Sequence, residues 1–343
     1  MHELLNVLYV QRQGAVLHLD NDTVRIELEG ESPRRVPLLR LSGIVVFGRV
    51  SITPFLIQRC AEDGRGLVWL DQHGRFKARV DGATRGNVLL RRAQHLALSD
   101  AQHTLRIGRQ IVAAKIQNSR QLLLRASREA VGETESAPLR DAADRLAGIL
   151  ETLRQAKDLE MVRGAEGDAA RTYFGVFGYM VRTEREALSP AGRTRRPPRD
   201  RANALLSFLY TLVRFECASA LEGVGLDPQV GYLHALRPGR PALALDLMEE
   251  LRPVLADRLA LTLVNRRQLK PEHFEEKPGG AVLLNEEGRR AVLVAYQQRK
   301  EDEVLHRVLN QKTPLGLVPH LQARLLARHL RGDLKEYPPF LYR

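Results

Sequence analysis

Four residues hold the chemistry this sequence can offer: Glu166, His234, Asp246 and Glu249. Glu166 stands in Arg163-Gly164-Ala165-Glu166-Gly167-Asp168-Ala169-Ala170, just ahead of Tyr173-Phe174. Its small neighbours leave little bulk beside the carboxylate, so a ligand or a stretch of backbone can come close. The plainer alternative is an acid in the first turn of a helix, favoured by the macrodipole. His234 ends Gly225-Leu226-Asp227-Pro228-Gln229-Val230-Gly231-Tyr232-Leu233-His234, where Asp-Pro and two glycines predict a shaped loop. There it is either a hydrogen-bonded loop histidine or a ligand. Asp246 and Glu249 emerge from the apolar run Ala242-Leu243-Ala244-Leu245, and an offset of three puts them on one helical face. Carboxylates so placed repel unless a cation lies between them. Arg252 offers an ordinary ion pair, and a metal ion is the sharper alternative. Oxygen ligands with one imidazole suit Mg²⁺ or Mn²⁺ better than zinc or copper. Such an ion serves phosphoryl transfer by stabilising charge on the scissile phosphate and holding the attacking oxygen. Periodicity by itself does not bring Glu166 to the other acids.

The elements that must position these residues fall into two textures. The first ~85 residues carry strand and turn cues: Val7–Val10, Ala15–Leu19, a turn at Asp20-Asn21-Asp22, Thr23–Leu28, Ile44–Phe47 and Gly66–Leu70. Short strands at this spacing predict a small sandwich or barrel, with one helical stretch over Ile52–Cys60. From about Asn87, Leu105, Val112, Ile116 and Leu123 recur at helical spacing. Leu139–Met161 reads as one helix and Ala202–Leu221 as a longer apolar one, while Pro253 opens another at its first turn. The expected class is α+β, with a β-rich domain over residues 1–85 and a larger all-α domain over 86–343.

Composition narrows the partners. With 53 Lys and Arg against 41 Asp and Glu, the chain carries a formal charge of +12, a field that draws polyanions. Cys60 and Cys217 belong to no CxxC pair, which argues against a zinc site or a disulfide framework and for small buried hydrophobes. The N-terminus lacks the features of a signal peptide. No apolar run reaches the ~18 residues expected of a membrane span, so a cytoplasmic protein without a membrane partner is expected. Arg193, Arg195, Arg196, Arg199 and Arg201 crowd a stretch that also holds Pro190, Pro197 and Pro198, which excludes a regular helix interior. This loop is either a solvated surface segment or an arm whose guanidinium groups meet phosphate oxygens.

Several blocks in order resemble the CRISPR adaptation integrase, the Cas-one family: GLDPQVGYLH at 225–234, RPALALDLMEELRP at 240–253 with Asp257-Arg258, and AEGDAARTYF at 165–174. PPRDRANALLSFLYTL at 197–212 resembles the family's segment after its basic loop, although Arg201 and Ala202 depart from its more apolar pattern. The ending PLGLVPHLQARLLARHLRGDLKEYPPFLYR resembles members that accompany type I-C systems. The resemblance implies an N-terminal β-sandwich that serves dimerisation and a helical catalytic domain. It also implies a Mg²⁺ or Mn²⁺ site made by Glu166, His234 and Glu249, with Asp246 supporting. DNA-contacting roles are expected for Arg193, Arg195, Arg196 and Arg199. The implied activity is insertion of short double-stranded DNA fragments into the repeat array, together with metal-dependent DNA cleavage. The implied partners are DNA, a second copy of the chain and the small Cas-two subunit.

Overall fold

The computed structural model describes residues 6–74, 76–80, 82, 88–190, 192–194 and 197–342. The chain forms two compact units, Met1–Gly86 and Asn87–Arg343. The architecture is mixed α+β, with its large sheets in the first unit and a mainly helical second unit.

The first unit contains β1 (Asn6–Val10), β2 (Val16–Asp20), β3 (Thr23–Glu27), β4 (Arg34–Pro37), β5 (Leu41–Phe47), β6 (Ser51–Ile52), α1 (Pro54–Glu62), β7 (Gly66–Leu70) and β8 (Phe76–Val80). One sheet has the order β1-β5-β7-β8 and the other β4-β3-β2-β6. β5 lies between two parallel neighbours, and its near-continuous apolar run is buried along most of its length, as a strand covered on both faces requires. The β2–β3 turn places Asn21 at φ 52°, a left-handed conformation that Asn tolerates better than most residues. Leu17 and Val24 of one sheet share a core with Ile44, Val46 and Leu67 of the other. Leu56 and Cys60, four residues apart on α1, close that core, so the helical reading near Pro54 holds.

The second unit runs through α2 (Val88–Ser99), α3 (Ala101–Glu129), α4 (Glu133–Arg154), α5 (Leu159–Gly175), α6 (Arg185–Leu188), α7 (Arg201–Gly223), α8 (Ala242–Leu251) and α9 (Arg258–Asn265). It continues with β9 (Phe274–Lys277), β10 (Ala281–Leu284), α10 (Glu286–Glu301), β11 (Glu303–His306), β12 (Gln311–Pro314) and α11 (Val318–Leu330). The long helix α3 packs against α4, α5 and α8 and forms the spine of this unit.

Four expectations need correction here. The unit is not all-α, because β9–β10 and β11–β12 form two antiparallel hairpins. Their turns use Gly279 at φ 91°, Gly280 at φ 73° and Asn310 at φ 49°, and the four-residue strands are too short to show a clear period. Leu139–Met161 is not one helix: α4 ends at Arg154, and Asp158 starts α5 by accepting a bond from the Met161 N–H at 2.8 Å. Pro253 does not open a fresh helix. The chain passes from α8 to α9 through a wide π-helical turn, Arg252–Asp257, in which Pro253 lacks the donor a regular turn would use. Finally, α7 is long and apolar enough by composition to cross a bilayer, with a mean hydropathy of 1.4 over eighteen residues, but 61% of that window is buried in the fold. It is a core helix, held at its start by Asp200, which accepts from the Asn203 N–H.

Candidate active site

The site is assembled from α3, α5, α8 and the loop before α8. Gly108 of α3 lies against the Leu159 side chain at the start of α5, with Leu159 Cδ1 2.9 Å from where a Cβ would stand. Packing of α3 on α5 puts Lys115 beside Glu166, which lies in the middle of α5 rather than in its first turn. Gly164 and Gly167 have open space where a side chain would sit.

The histidine loop is trussed from two directions. Gln94 of α2, fully buried, accepts from the Asp227 N–H and donates to the Asp227 and Val230 carbonyls. Gly231 lies so close to the start of α8 that a Cβ would stand 2.6 Å from the Ala242 carbonyl carbon. Pro228 supplies its carbonyl to the Leu243 and Ala244 N–H groups, which the first turn of α8 leaves without helical partners. The loop then presents three successive N–H groups, of Tyr232, Leu233 and His234, to the buried Asp246 carboxylate at 2.6, 3.0 and 2.9 Å.

Asp246 also lies 2.7 Å from His234 Nδ1. A carboxylate in that place fixes Nδ1 as the protonated nitrogen and leaves the Nε2 lone pair free to act as a ligand. Nε2 lies 3.9 Å from Glu249 Oε1. Asp246 is therefore a positioning residue, and the three-residue offset from Glu249 works through the histidine that stands between loop and helix.

Glu249 is nearly buried and ringed by cations. Arg252 Nη1 lies 2.6 Å from its Oε1 and Lys115 Nζ 2.7 Å from its Oε2, and Lys115 also pairs with Glu166. Burial works to raise the Glu249 pKa, but the Arg252 and Lys115 charges overcome it and hold the acid well below the usual carboxylate range. Arg252 is itself locked, stacked 4.3 Å over the Tyr210 ring. Tyr210 and Tyr173 donate to the buried Asp257 at 2.6 and 3.1 Å. Burial pushes the Asp257 carboxyl up, against those two bonds and the Arg252 charge.

The sequence-derived acids and imidazole thus come to one wall, with Lys115 as a fifth member that the sequence reading missed. Its signal was a lysine among Val112, Ala113, Ala114 and Ile116, where a buried cation needs anionic partners. Among the described residues, no three acid, imidazole or thiol side chains surround a common point. The donor set nonetheless fits a hard cation: two carboxylates, an oriented imidazole nitrogen, and a positive charge already seated between the acids. Side-chain exposure of 29% for Glu166 and 22% for His234, against 5% for Glu249, shows which side of the set is open.

The arginine loop divides differently. Arg193 turns inward, donating to the Thr194 carbonyl and to Asn203 Oδ1, with its guanidinium 5.3 Å over Tyr210 and 5.9 Å over Phe174. Arg199 is exposed and donates to the Gly279 carbonyl at 2.7 Å. Arg195 and Arg196 lie outside the described residues. Cys60 and Cys217 are both buried free thiols, as expected.

A mixed α+β chain whose helical unit gathers acids, an oriented imidazole and buried cations on one wall has the equipment of a phosphate-handling enzyme. The family model for CRISPR associated protein Cas1 matches residues 8–298, and the chain belongs to that family. It is 59% identical over 343 residues to CRISPR-associated endonuclease Cas1 1 of Moorella thermoacetica, covering all of both chains. It is 51% identical over 347 aligned residues to CRISPR-associated endonuclease Cas1 2 of Rhodospirillum rubrum, again over all of both. A solved Cas1 structure from Thermotoga maritima shares its fold with a TM-score of 0.82 at 25% identity, over 98% of this chain and 99% of that one.

Proposed function

We propose that this chain is the integrase and endonuclease of CRISPR adaptation. A 3′-hydroxyl of a short DNA fragment attacks a phosphodiester of the repeat; a new P–O bond forms as the repeat's own P–O3′ bond breaks, without a nucleotide cofactor. Hydrolytic cleavage is the same displacement with water as the attacking group. The observation that carries the reading is the convergence of Glu166, His234 and Glu249 on one wall, with His234 oriented by Asp246. Membership of the Cas1 family and the names of full-length relatives support it.

Glu166, His234 and Glu249 would hold Mg²⁺ or Mn²⁺, which supplies charge stabilisation at the scissile phosphate when bound. Asp246 fixes the histidine tautomer, and Arg252 holds Glu249 in place against α8. The exposed side of Glu166 and His234 is where the DNA phosphate would approach, drawn by the +12 charge of the chain. Arg193, Arg195, Arg196 and Arg199 are assigned to that DNA contact, Arg193 through the loop conformation it braces.

Double-stranded DNA, a second copy of the chain and Cas2 are the partners. We read the two-sheet first unit as a β-sandwich dimerisation domain and residues 86–343 as the catalytic domain. The C-terminal block from Pro314 supports placement with type I-C systems, and a cytoplasmic location follows from the DNA substrate.

The test is strand transfer of a short duplex into a repeat-bearing plasmid with Mn²⁺ or Mg²⁺ and the Cas2 partner. Wild type yields joined product, and Glu166→Ala yields none while still binding DNA. Equal product from both proteins removes Glu166 from the site. DNA binding without product from wild type favours a non-catalytic DNA-binding protein.

A further inference from the structure

Lys115 occupies an unusual place for a lysine. Its ammonium is nearly buried and touches both acids of the site, Glu249 at 2.7 Å and Glu166 in direct contact. Arg252 already serves the other oxygen of Glu249. Asp246 is satisfied by three backbone N–H groups and His234. Glu166 and Glu249 are thus opposed by two cations, Lys115 shared between them and Arg252 on Glu249 alone.

A divalent cation bound to the same oxygens would lie within a few ångströms of the lysine charge, where like charges in a half-buried site repel strongly. One cation must yield. Arg252 is stacked over the ring of Tyr210, which is itself fixed by its bond to the buried Asp257. Lys115 instead carries a compact charge on a flexible four-carbon stem, and Glu166 beside it stands at the open side of the site.

We propose that Lys115 is a resident counter-ion of this site, holding Glu166 and Glu249 together in the metal-free protein, and that a divalent cation binds by displacing its ammonium. This rests on Glu166, His234 and Glu249 being the ligand set. Metal binding is then an exchange of cations, and apparent affinity is lowered by the lysine that must leave. The lysine also supplies the cation that Glu166 shares with Glu249, whose other oxygen is held by Arg252.

The experiment measures Mn²⁺ binding to the full-length protein by calorimetry for wild type, Lys115→Met and Lys115→Arg. Lys115→Met is expected to bind Mn²⁺ at least ~10-fold tighter than wild type, because no cation competes. It should also melt at lower temperature in EDTA and gain more from Mn²⁺ than wild type does. Lys115→Arg keeps the charge and is expected to show no gain. Binding by Lys115→Met equal to or weaker than wild type overturns the proposal, as does an equal gain in both variants.

If Lys115→Met does not fold, amine-reactive labelling of wild type, read by mass spectrometry, decides. Lys115 should be protected in EDTA and become reactive at saturating Mn²⁺. Unchanged protection overturns the displacement. Failure of wild type to bind Mn²⁺ at all overturns the ligand assignment itself and the proposal with it, an outcome distinct from normal wild-type binding with no effect at Lys115.

Discussion

Glu249 and Glu250 are neighbours on α8, both nearly or fully buried, and their surroundings treat them in opposite ways. Glu249 faces Lys115, Arg252 and the His234 ring, and the two cations hold it ionised. Glu250 faces the C-terminal segment, where Tyr337 donates its hydroxyl, Phe340 its N–H at 2.6 Å and Gln322 its amide at 3.3 Å. Burial lifts Glu250 to about 7, and those neutral donors only partly offset it. An acid opposed by cations is equipped for charge chemistry, whereas an acid opposed by neutral dipoles ties the fold together. Asn118, one turn beyond Lys115 on α3, bonds the Glu250 carbonyl and the Phe340 carbonyl, so the second region also braces the helices that carry the first.

This contrast can be broken at several points. The largest effect is expected from Glu249→Ala, which leaves Lys115 and Arg252 without a shared anion. Strand transfer should fall by on the order of 10³-fold, and chemical denaturation should reveal a loss of about 3–5 kcal/mol, as for other broken buried pairs. Retained activity would move the second acid ligand to Asp246.

Next comes the pH dependence of Glu250. Its folded pKa of about 7 lies above the ordinary 4.5, so the folded protein holds a proton that the unfolded chain has lost between those values. Stability from this group is therefore full below 4.5 and declines as pH rises to about 7, by about 3 kcal/mol. Glu249 has the opposite sign, contributing above the ordinary carboxylate value and losing that contribution as pH falls through its depressed pKa. In melting curves from pH 5 to pH 8, wild type should lose ground relative to Glu250→Gln as pH rises. A constant difference would show that Glu250 does not titrate in this window.

Asp246→Asn sharpens the histidine arm. The amide keeps the shape but no longer fixes Nδ1 as the donor, so Mn²⁺ affinity is expected to weaken roughly 10- to 100-fold with the fold intact. Calorimetry that finds unchanged affinity would reduce Asp246 to a loop anchor. The smallest effects belong to the arginine loop, where the same distinction between built-in and offered charge recurs. Arg193→Ala should lower the melting temperature, because its guanidinium is packed against Phe174 and Tyr210. Arg199→Ala should leave melting unchanged and reduce the salt slope of DNA binding by about one unit. A reversed pattern would exchange their roles.

Much of the site was legible locally. The Asp246–Glu249 offset, the glycine-shaped loop before His234 and the open ground around Glu166 are short-range patterns, set by helix period and the conformational freedom of glycine. The ion pair from Arg252 to Glu249, three residues away, was visible for the same reason. The two-part texture of the fold and the helix after Pro54 were also readable, because apolar spacing reports which face is buried. The short hairpins of the second unit and the break before Leu159 were not, since four-residue strands and a single capping side chain leave little periodic trace.

The tertiary structure alone decided what stands opposite each acid. Lys115 lies 51 residues from Glu166 in sequence and on a different helix from both acids it joins. Gly231 permits the close backbone approach that seats the histidine loop on the start of α8. Chain order shows which residues can carry charge and which helical faces they share. Whether a buried carboxylate is ionised depends on fields that fall off over a few ångströms through space, and chain order does not encode that distance.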